Sequence, residues 1–465
     1  MLMSLLVAVY YGENITPFLV PILGMLIIAL PFFFLKVKNT IFSARDGLVS
    51  VALIWITMSL FGAIPFYLCG GFPSFVDCLF ESVSGFTTTG STILTDIESL
   101  PYGILFWRSS THWLGGMGIL VLALALFPSI GERAQNLMAA ESPGPTSEKL
   151  TSRISTSSKI LYIIYMSMTL LEIICLRFCG LRWFDSVVTT FASAGTGGFS
   201  VLNAGIAGYN NVAAEIVITV FCLLFGVNFS VFFLIISGQF KKTFKNSELK
   251  FYLATIGIFI GLISINIYAA FQSIGQTLRH SSFNVVTIIT TTGFSSCDFN
   301  AWPSFSKFLL VLLMVVGASA GSTGGGLKCS RVMILWKGIV REVRRMISPK
   351  RISTLRMDGK QIPETTVTNT FVFAGIYFFI AIAGGLIISL DGFSFEANLT
   401  AILSAISNIG PAFGEIASQY GGSFHAYSPL SKLVLSLCML VGRLEIFPML
   451  VLVLPATWKG ASLKK

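Results

Sequence analysis

Charged residues are scarce in this 465-residue sequence: only 11% of the positions are Asp, Glu, Lys or Arg, whereas 54% are hydrophobic. Soluble domains average about 25% charged residues, so the composition excludes a soluble globular protein. The hydrophobic residues form runs close to the roughly 20 residues that a helix needs to cross a bilayer. These runs are continuous and do not alternate with polar residues, which argues against an outer-membrane β-barrel. The sequence therefore predicts a polytopic α-helical membrane protein.

Residues typical of metal sites and hydrolases are also few. The chain has three histidines, and its eight cysteines include no Cys-x-x-Cys pair, which argues against a zinc site. The motif His-Glu-x-x-His does not occur, and His112, His280 and His425 lie in unrelated parts of the chain, so we predict that the protein is not an enzyme. The Gly-x-Gly-x-x-Gly fingerprint is absent as well. We expect no organic cofactor in this chain, and any control by NAD or ATP would come from a partner.

The distribution of basic residues predicts the orientation in the membrane. Of the 31 Lys and Arg residues, 24 lie in five segments, at 36–45, 133–159, 241–250, 328–360 and 459–465. The positive-inside rule places these segments and the C-terminus in the cytoplasm. Nine apolar spans lie at 17–35, 47–69, 107–127, 160–179, 212–236, 251–271, 305–335, 366–390 and 430–456. Residues 2–11 are apolar but too short to cross, and we expect them to be the end of a truncated first helix.

The connections on the opposite side are unusual because they are apolar and rich in Gly, Ser and Thr. Residues 75–92, for example, are too few to cross the membrane and too apolar for a solvent-exposed loop. This pattern predicts a re-entrant segment, in which a short half-helix enters the membrane and the chain returns in an extended conformation. Non-helical backbone at that depth is tolerated only where it lines a cavity or is buried in protein.

The same unit occurs four times, as a span, a half-helix, a glycine-containing turn and a second span. Glycines 90, 198, 293 and 410 mark the turns and are 108, 95 and 117 residues apart. Because every unit begins and ends on the cytoplasmic side, the repeats are parallel and not inverted. We predict an all-α fold of four tandem parallel helix–pore loop–helix repeats around a pseudo-fourfold pore, preceded by an extra N-terminal helical segment. The expected units are the N-terminal segment 1–46, the pore repeats 47–131, 160–238, 251–336 and 366–458, and the basic cytoplasmic loop 337–365.

The four turns have the chemistry of a cation filter. A cation that crosses a membrane exchanges its water shell for protein oxygens, and rings of backbone carbonyls supply these without fixed charge. Glycine permits the backbone conformation that such turns require, and the C-terminal end of each half-helix adds partial negative charge. The turns contain no ring of acidic residues, which favours a weakly hydrated monovalent cation over Ca²⁺ or Mg²⁺.

Several further motifs accompany the four turns: WRSSTHWLGGMG at 107–118, ESPGP at 141–145, AGSTGGGLK at 320–328 and GRLEI at 442–446. Together they resemble the Trk/Ktr/HKT superfamily of potassium transporters, and most closely its bacterial Trk branch, over nearly the whole chain. The resemblance implies potassium uptake across the bacterial inner membrane by a homodimer, gated by a separate cytoplasmic TrkA-like subunit that binds nucleotides. Whether the protein works as a gated channel or as a cation-coupled symporter stays open.

The resemblance also implies which residues provide the filter carbonyls. They are Thr88, Thr89 and Gly90; Thr196, Gly197 and Gly198; Thr291, Thr292 and Gly293; and Asn408, Ile409 and Gly410. Sodium-preferring relatives carry serine at the first of the four glycines. Gly90 therefore favours potassium, and a sodium-permeable or mixed Na⁺/K⁺ transporter on the same scaffold is the alternative.

The span at 305–335 contains a candidate gate. Three consecutive glycines at 324–326 each cost about 1 kcal/mol relative to Ala in a helix, so we expect residues 317–326 to form a loop just below the filter. A kink for close helix packing is the alternative. Arg443 lies in an apolar run, where a charge at the bilayer centre costs about 2.5–3.5 kcal/mol. We therefore expect its side chain to bind carbonyls of the loop and to repel cations. The alternative is that the side chain extends to the membrane–water interface. The gate candidates are Gly321, Ser322, Thr323, Gly324, Gly325, Gly326, Lys328 and Arg443.

The basic residues of the segment 337–360 have two possible roles. They either bind anionic membrane lipid while setting the topology, or form a docking surface for the gating ring that the resemblance implies the TrkA-like subunit forms. A role in binding nucleic acid is not expected beside a membrane.

Overall fold

The structure is a computed structural model that describes residues 1–34, 44–118, 154–348, 354–418 and 422–458. The motif at 141–145, the second part of the span predicted at 107–127, the tail 459–465 and most of the basic segments 36–45 and 133–159 lie outside the described residues.

Helices make up nearly all of the regular structure that is described. They are α1 Leu2–Tyr10, α2 Thr16–Phe34, α3 Ala44–Leu68, α4 Phe75–Phe86, α5 Tyr102–Gly116, α6 Ile154–Phe178, α7 Trp183–Ala194, α8 Val212–Phe225, α9 Phe229–Ile236, α10 Phe240–Lys245, α11 Ser247–Phe271, α12 Ile274–Ile289, α13 Ser304–Val316, α14 Cys329–Ile347, α15 Glu364–Ile388, α16 Phe395–Ser407, α17 Glu415–Ser418, α18 Pro429–Arg443, α19 Phe447–Val453 and α20 Pro455–Trp458. Short 3₁₀ turns lie at Gly205–Tyr209, Phe299–Ala301, Ser389–Asp391 and Phe424–Ala426. Two strands, β1 Arg356–Met357 and β2 Lys360–Gln361, form an antiparallel hairpin.

Four repeated units follow the N-terminal pair α1 and α2. Their half-helices are α4, α7, α12 and α16, each preceded by a long helix (α3, α6, α11 and α15) and followed by a second helix (α5, α8, α13 and α18). The second helix of each unit packs against the half-helix of the next, as α5 on α7, α8 on α12 and α13 on α16. The last junction, α18 on α4, joins the fourth unit to the first. The repeats therefore close into a ring around one axis, which confirms the predicted pseudo-fourfold fold.

The N-terminal helix α1 packs on the first repeat. The carboxylate of Glu13, just after α1, accepts hydrogen bonds from the backbone N–H groups of Tyr102 (2.6 Å) and Gly103 (2.9 Å) at the start of α5. These N–H groups lack partners within the helix, and a carboxylate there also interacts favourably with the helix dipole. Residues 2–11 are thus helical over most of their length and belong to the extra segment that precedes the repeats.

Two spans that the sequence predicts as continuous are bent. The span 212–236 breaks between α8 and α9 at an angle of 91°, and the span 430–456 breaks between α18 and α19 at 120°. At the first break, the side chain of Asn228 accepts a hydrogen bond from Ser230 N at 2.8 Å and begins a new helix. At the second, Glu445 and Ile446 adopt φ values of +55° and +67°, which end a right-handed helix.

Among the described residues, four helices are long and apolar enough to cross a membrane, and this number rises to six if each bent pair is one span. The four lie at Arg45–Leu68, Thr156–Phe178, Ser247–Phe271 and Glu364–Asp391. These spans and the bent pairs describe a multi-pass membrane protein.

The region 337–365, predicted as a basic loop, begins as a helix. Helix α14 continues to Ile347, and the Arg341 guanidinium on it binds both carboxylate oxygens of Glu364 at 2.8 Å. The hairpin then turns at Asp358 and Gly359, which both have positive φ, as tight two-residue hairpin turns require. The Asp358 carboxylate accepts a hydrogen bond from Ser247 N (2.7 Å), which fixes the hairpin at the start of α11.

Candidate ion pathway

The four turns that follow the half-helices share one backbone conformation. In each turn a non-glycine residue has a left-handed φ and the glycine two positions later also has a positive φ. The φ values are +55° and +82° for Thr88 and Gly90, +54° and +76° for Thr196 and Gly198, +58° and +75° for Thr291 and Gly293, and +57° and +111° for Asn408 and Gly410. The same conformation occurs in all four turns, and it is uncommon for the Thr that adopts it in three of them, which indicates that the repeats are equivalent in structure as well as in sequence.

Each half-helix also ends with the same hydrogen bond. An N–H group of the turn binds the carbonyl five residues earlier, which is the arrangement of a Schellman-type C-cap. The bonds run from Thr89 N to Ser84 O (2.8 Å), Gly197 N to Ala192 O (2.9 Å), Thr292 N to Thr287 O (2.8 Å) and Ile409 N to Ser404 O (3.0 Å). All four half-helices therefore direct their C-terminal, partially negative ends at the turns.

The glycines and the carbonyl oxygens before them form a closed ring. A Cβ atom added to Gly90 would collide with the carbonyl oxygen of Gly197 in the next repeat. The same relationship joins Gly198 to Thr292 O, Gly293 to Ile409 O and Gly410 to Thr89 O, which returns the ring to the first repeat. Only glycine fits at these four positions, because any side chain would displace a carbonyl of the neighbouring turn.

A cavity of about 360 Å³ lies on one side of this ring. All four glycines line it, and Arg108, Asn203 and Asp298 are among the polar residues around them. A cavity of this size is large enough to hold several water molecules beside the ring of carbonyl oxygens.

Side chains behind the turns tie them together. The hydroxyl groups of Thr87 and Thr89 are 2.8 Å apart, and those of Thr290 and Thr292 are 2.9 Å apart. The amide of Asn408 donates hydrogen bonds to Thr89 Oγ1 and to Met439 O, both at 2.9 Å. Asn408 therefore links the fourth turn to the first, a connection that its sequence position alone does not reveal.

The predicted loop lies between α13, which ends at Val316, and α14, which begins at Cys329. It packs directly against two of the turns: Gly325 N donates a hydrogen bond to Thr291 Oγ1 at 2.8 Å. A Cβ on Gly324 would collide with Thr290 O, and one on Gly325 with Ser407 O. The successive glycines thus allow the loop backbone to approach the bases of the third and fourth turns.

Both ends of the loop are anchored outside the turns. Ser319 N donates to Gly226 O (3.1 Å), and Gly321 O accepts from Phe229 N (3.0 Å) at the bend between α8 and α9. The Glu248 carboxylate accepts from Ala320 N (2.7 Å) and from Ser330 N (3.1 Å), so one side chain holds the loop and the start of α14. Glu248 is absent from the predicted site because it lies in the preceding span, far from the glycines in sequence.

Arg443 contacts the loop and the first repeat at once. Its guanidinium donates to Thr323 O at 2.8 Å, to Gly116 O at 2.8 Å and to Gly115 O. Its neighbour Glu445 pairs with Arg331. Arg443 thus connects the segment below the turns to the C-terminal end of α5.

The remaining gate candidates, Ser322, Gly326 and Lys328, have contacts within the loop or at its ends. Ser322 donates its hydroxyl to Ser319 O (2.6 Å) within the loop, and Gly326 packs against Gly317 at the opposite side of the loop. Lys328 is buried and precedes α14 with a φ of +75°. The structure therefore brings all twelve turn residues together in one ring. It places Gly324 and Gly325 against this ring and Thr323 against Arg443.

No group of three or more His, Cys, Asp and Glu side chains that could hold a metal ion occurs within the described ranges. The oxygens that meet at the ring are backbone carbonyls, which suit a monovalent cation better than a divalent one.

Comparison with known proteins assigns the chain to a family. Residues 21–459 match the family model described as TrkH, cation transport protein. The chain belongs to the TrkH family. It is 36% identical to the Trk system potassium uptake protein TrkH of Halomonas elongata over 423 residues, which cover 89% of this chain and 86% of that protein. It is 33% identical to TrkH of Escherichia coli K12, with 90% and 86% covered.

The fold agrees with a solved member of the TrkH family. The crystal structure of the potassium transporter TrkH from Vibrio parahaemolyticus superimposes with a TM-score of 0.87, at 30% identity, and covers 98% of this chain and 96% of that one. The family consists of cation transporters and not of enzymes, so both the predicted class and the predicted fold are confirmed.

Proposed function

We propose that this protein takes up potassium across a bacterial inner membrane through a filter of backbone carbonyls. The observation that carries the proposal is the closed ring in which each of the glycines Gly90, Gly198, Gly293 and Gly410 faces a carbonyl oxygen of the next repeat. Such a ring replaces the hydration shell of a cation without binding it as tightly as carboxylates would. The relatives named potassium uptake proteins support the choice of ion.

The twelve turn residues act as the filter in this proposal. Thr88, Thr196, Thr291 and Asn408 have the left-handed conformation, and the residues after them supply the carbonyls that face the glycine of the preceding repeat around the ring. Potassium is favoured over sodium because it loses its water shell at a smaller cost, and no acidic side chain in the turns offsets the larger cost for sodium.

The loop 317–326 acts as the gate on the same path. It lies against Thr291 and Ser407, and the Arg443 guanidinium holds it through Thr323 O. A fixed positive charge at this depth repels cations while the loop is in place. Displacement of the loop would break these hydrogen bonds and open the path, and Lys328 at its end would move with it.

A cytoplasmic nucleotide-binding subunit of the TrkA type, acting on a homodimer, supplies the regulation. The basic helix α14 continues directly from the loop, so a partner that binds its Arg344 and Arg345 can pull on the gate. Anionic lipid headgroups are the other ligands for these side chains, and nucleic acid is not one. The C-terminus lies on the same, cytoplasmic side.

Flux of ⁸⁶Rb⁺ into liposomes that hold the purified chain, with K⁺, Na⁺ or Li⁺ as competitor, tests the proposal. We expect K⁺ to block the uptake and Na⁺ and Li⁺ to leave it largely unchanged. Equal competition by Na⁺ would overturn the potassium assignment in favour of a sodium-permeable transporter. The measurement is repeated with the ring subunit present, and an absence of flux in both cases would contradict a transport role.

A further inference from the structure

A fully buried ion pair lies beside the first two filter turns. The side chains of Glu81 on α4 and Arg108 on α5 are 0% and 1% exposed, and Arg108 Nε lies 2.8 Å from Glu81 Oε1. Buried charges are retained only where their partners are well placed, since desolvation alone is unfavourable. The contacts of this pair are therefore informative about its role.

Glu81 holds the segment that follows Gly90. Its carboxylate accepts hydrogen bonds from Thr92 Oγ1 at 3.0 Å and from Ile93 N at 3.1 Å. The carboxylate thus fixes the chain two and three residues beyond the first filter glycine.

Arg108 holds the equivalent segment of the second repeat. Its guanidinium donates to Ser200 O at 3.1 Å and lies over the ring of Phe199, with Cζ 4.2 Å from the ring centre. Phe199 and Ser200 directly follow Gly198. One buried ion pair thereby connects the two segments that follow Gly90 and Gly198.

The other junctions between repeats are built differently. Ion pairs join α8 to α12 (Glu215 and Arg279, 3.3 Å), α13 to α16 (Lys307 and Glu396, 2.7 Å) and α18 to α4 (Lys432 and Asp77, 2.6 Å). In the part of the chain that the structure describes, these pairs make no direct hydrogen bond to the segments after the filter glycines. The Glu81–Arg108 pair differs because it contacts those segments themselves.

We propose that Glu81 and Arg108 are positioning residues that set the separation of the first and second filter turns and thereby the cation selectivity. The proposal rests on the filter function proposed above. The junction between these turns leaves the least room for a side chain, because a Cβ added to Gly90 would lie closer to Gly197 O than a Cβ at any of the other three glycines would lie to its facing carbonyl. A small shift of either turn changes the distance between carbonyl oxygens that surround the same ion.

The experiment compares three variants with the unmodified chain: Glu81→Gln, Arg108→Gln and the double variant. Removing one partner leaves a buried charge unpaired, so the single variants test folding as well as selectivity. The double variant removes both charges at once and loses the bond to Ser200 O without leaving a buried charge unpaired, so we expect it to fold. Lys307→Gln is the control, because its pair is partly exposed and lies away from the turns. The readouts are membrane expression and the ratio of K⁺ to Na⁺ competition against ⁸⁶Rb⁺ uptake.

We expect the double variant to reach the membrane and to transport Rb⁺ with a K⁺/Na⁺ ratio about tenfold lower, as the loss of one charged hydrogen bond implies. The Lys307→Gln control should keep the original ratio. An unchanged ratio in the double variant would overturn the proposal, and so would failure of all three variants to fold, because the pair would then serve only the fold. If the unmodified chain itself shows no potassium preference, the filter function fails and not the positioning role alone.

Discussion

The hydroxyl oxygen of Thr291, in the turn after the third half-helix, accepts a hydrogen bond at 2.8 Å from the backbone N–H of Gly325, in the loop 317–326 that we propose as the gate. Both residues are buried, so water does not replace either partner within this arrangement. A buried N–H group that loses its acceptor costs about 1–3 kcal/mol. The third turn and the loop are therefore joined by a contact that favours the loop in its position below the turns.

Replacing Thr291 with valine is expected to raise the unstimulated flux. Valine keeps the shape of the side chain but cannot accept a hydrogen bond, so the displaced loop should become roughly five- to a hundredfold more populated. Liposome ⁸⁶Rb⁺ flux without the ring subunit measures this change. The control is Thr255→Val, whose hydroxyl donates a hydrogen bond to Phe251 O within its own helix. Equal flux in the two variants would show that the contact does not hold the gate.

Arg443→Ala is expected to raise basal conduction by about tenfold or more. The substitution removes hydrogen bonds to Thr323 O, Gly116 O and Gly115 O, together with the positive charge on the path. Arg443→Lys keeps the charge but not the planar fork of donors, so its flux should be intermediate. Normal expression with unchanged flux in Arg443→Ala would reject the assignment of this residue to the gate.

Gly90→Ser is expected to relax selectivity toward sodium. Its Cβ would displace Gly197 O, and serine at a φ of +82° costs a further 1–2 kcal/mol, roughly. Gly392→Ser is a matched control, since Gly392 has a φ of +79° but no other heavy atom within 4 Å of an added Cβ. Competition of K⁺ and Na⁺ against ⁸⁶Rb⁺ measures the ratio. A ratio that stays at the original value would mean that the carbonyl of Gly197 does not take part in the filter.

The rim of the cavity should contribute to stability in a pH-dependent way. The Asn203 amide donates to Asp96 Oδ1 at 2.9 Å, and this hydrogen bond holds the pKa of Asp96 below its ordinary value of 3.8. A lowered folded-state pKa means that the stabilisation is present above pH 3.8 and disappears as the pH falls through the lowered value. The difference in melting temperature between the unmodified chain and Asn203→Ala should therefore shrink on acidification below this point. The difference in melting temperature between the unmodified chain and Asn203→Asp should change over the same pH range. A difference for Asn203→Ala that stays constant from pH 7 to strongly acidic pH would contradict this assignment.

The fold was accessible from the sequence because its signals are local. Apolar runs of membrane length, half-length segments before the turns and four glycines at similar spacing each reflect a constraint within a few residues. The broken span at 317–326 follows from the same reasoning, since successive glycines disfavour a helix wherever they occur. The half-helices, the parallel repeats and the extra N-terminal segment are confirmed on this basis.

The rest depends on contacts between residues that are far apart in the chain. The bend before Phe229 is stabilised by a hydrogen bond to Gly321 O, and the pairing of Glu81 with Arg108 requires two helices to be placed first. Glu248 reaches the gate loop from a different span for the same reason. The role of each turn and gate residue stays a prediction.

The central claim is that a monovalent cation binds on the axis surrounded by the carbonyls next to Gly90, Gly198, Gly293 and Gly410. Crystals of the protein grown in Rb⁺ and measured at the rubidium absorption edge test it directly. The account predicts an anomalous peak at the centre of this ring, which is lost when Na⁺ replaces Rb⁺. A strong rubidium peak beside acidic side chains, with none inside the ring, would contradict it.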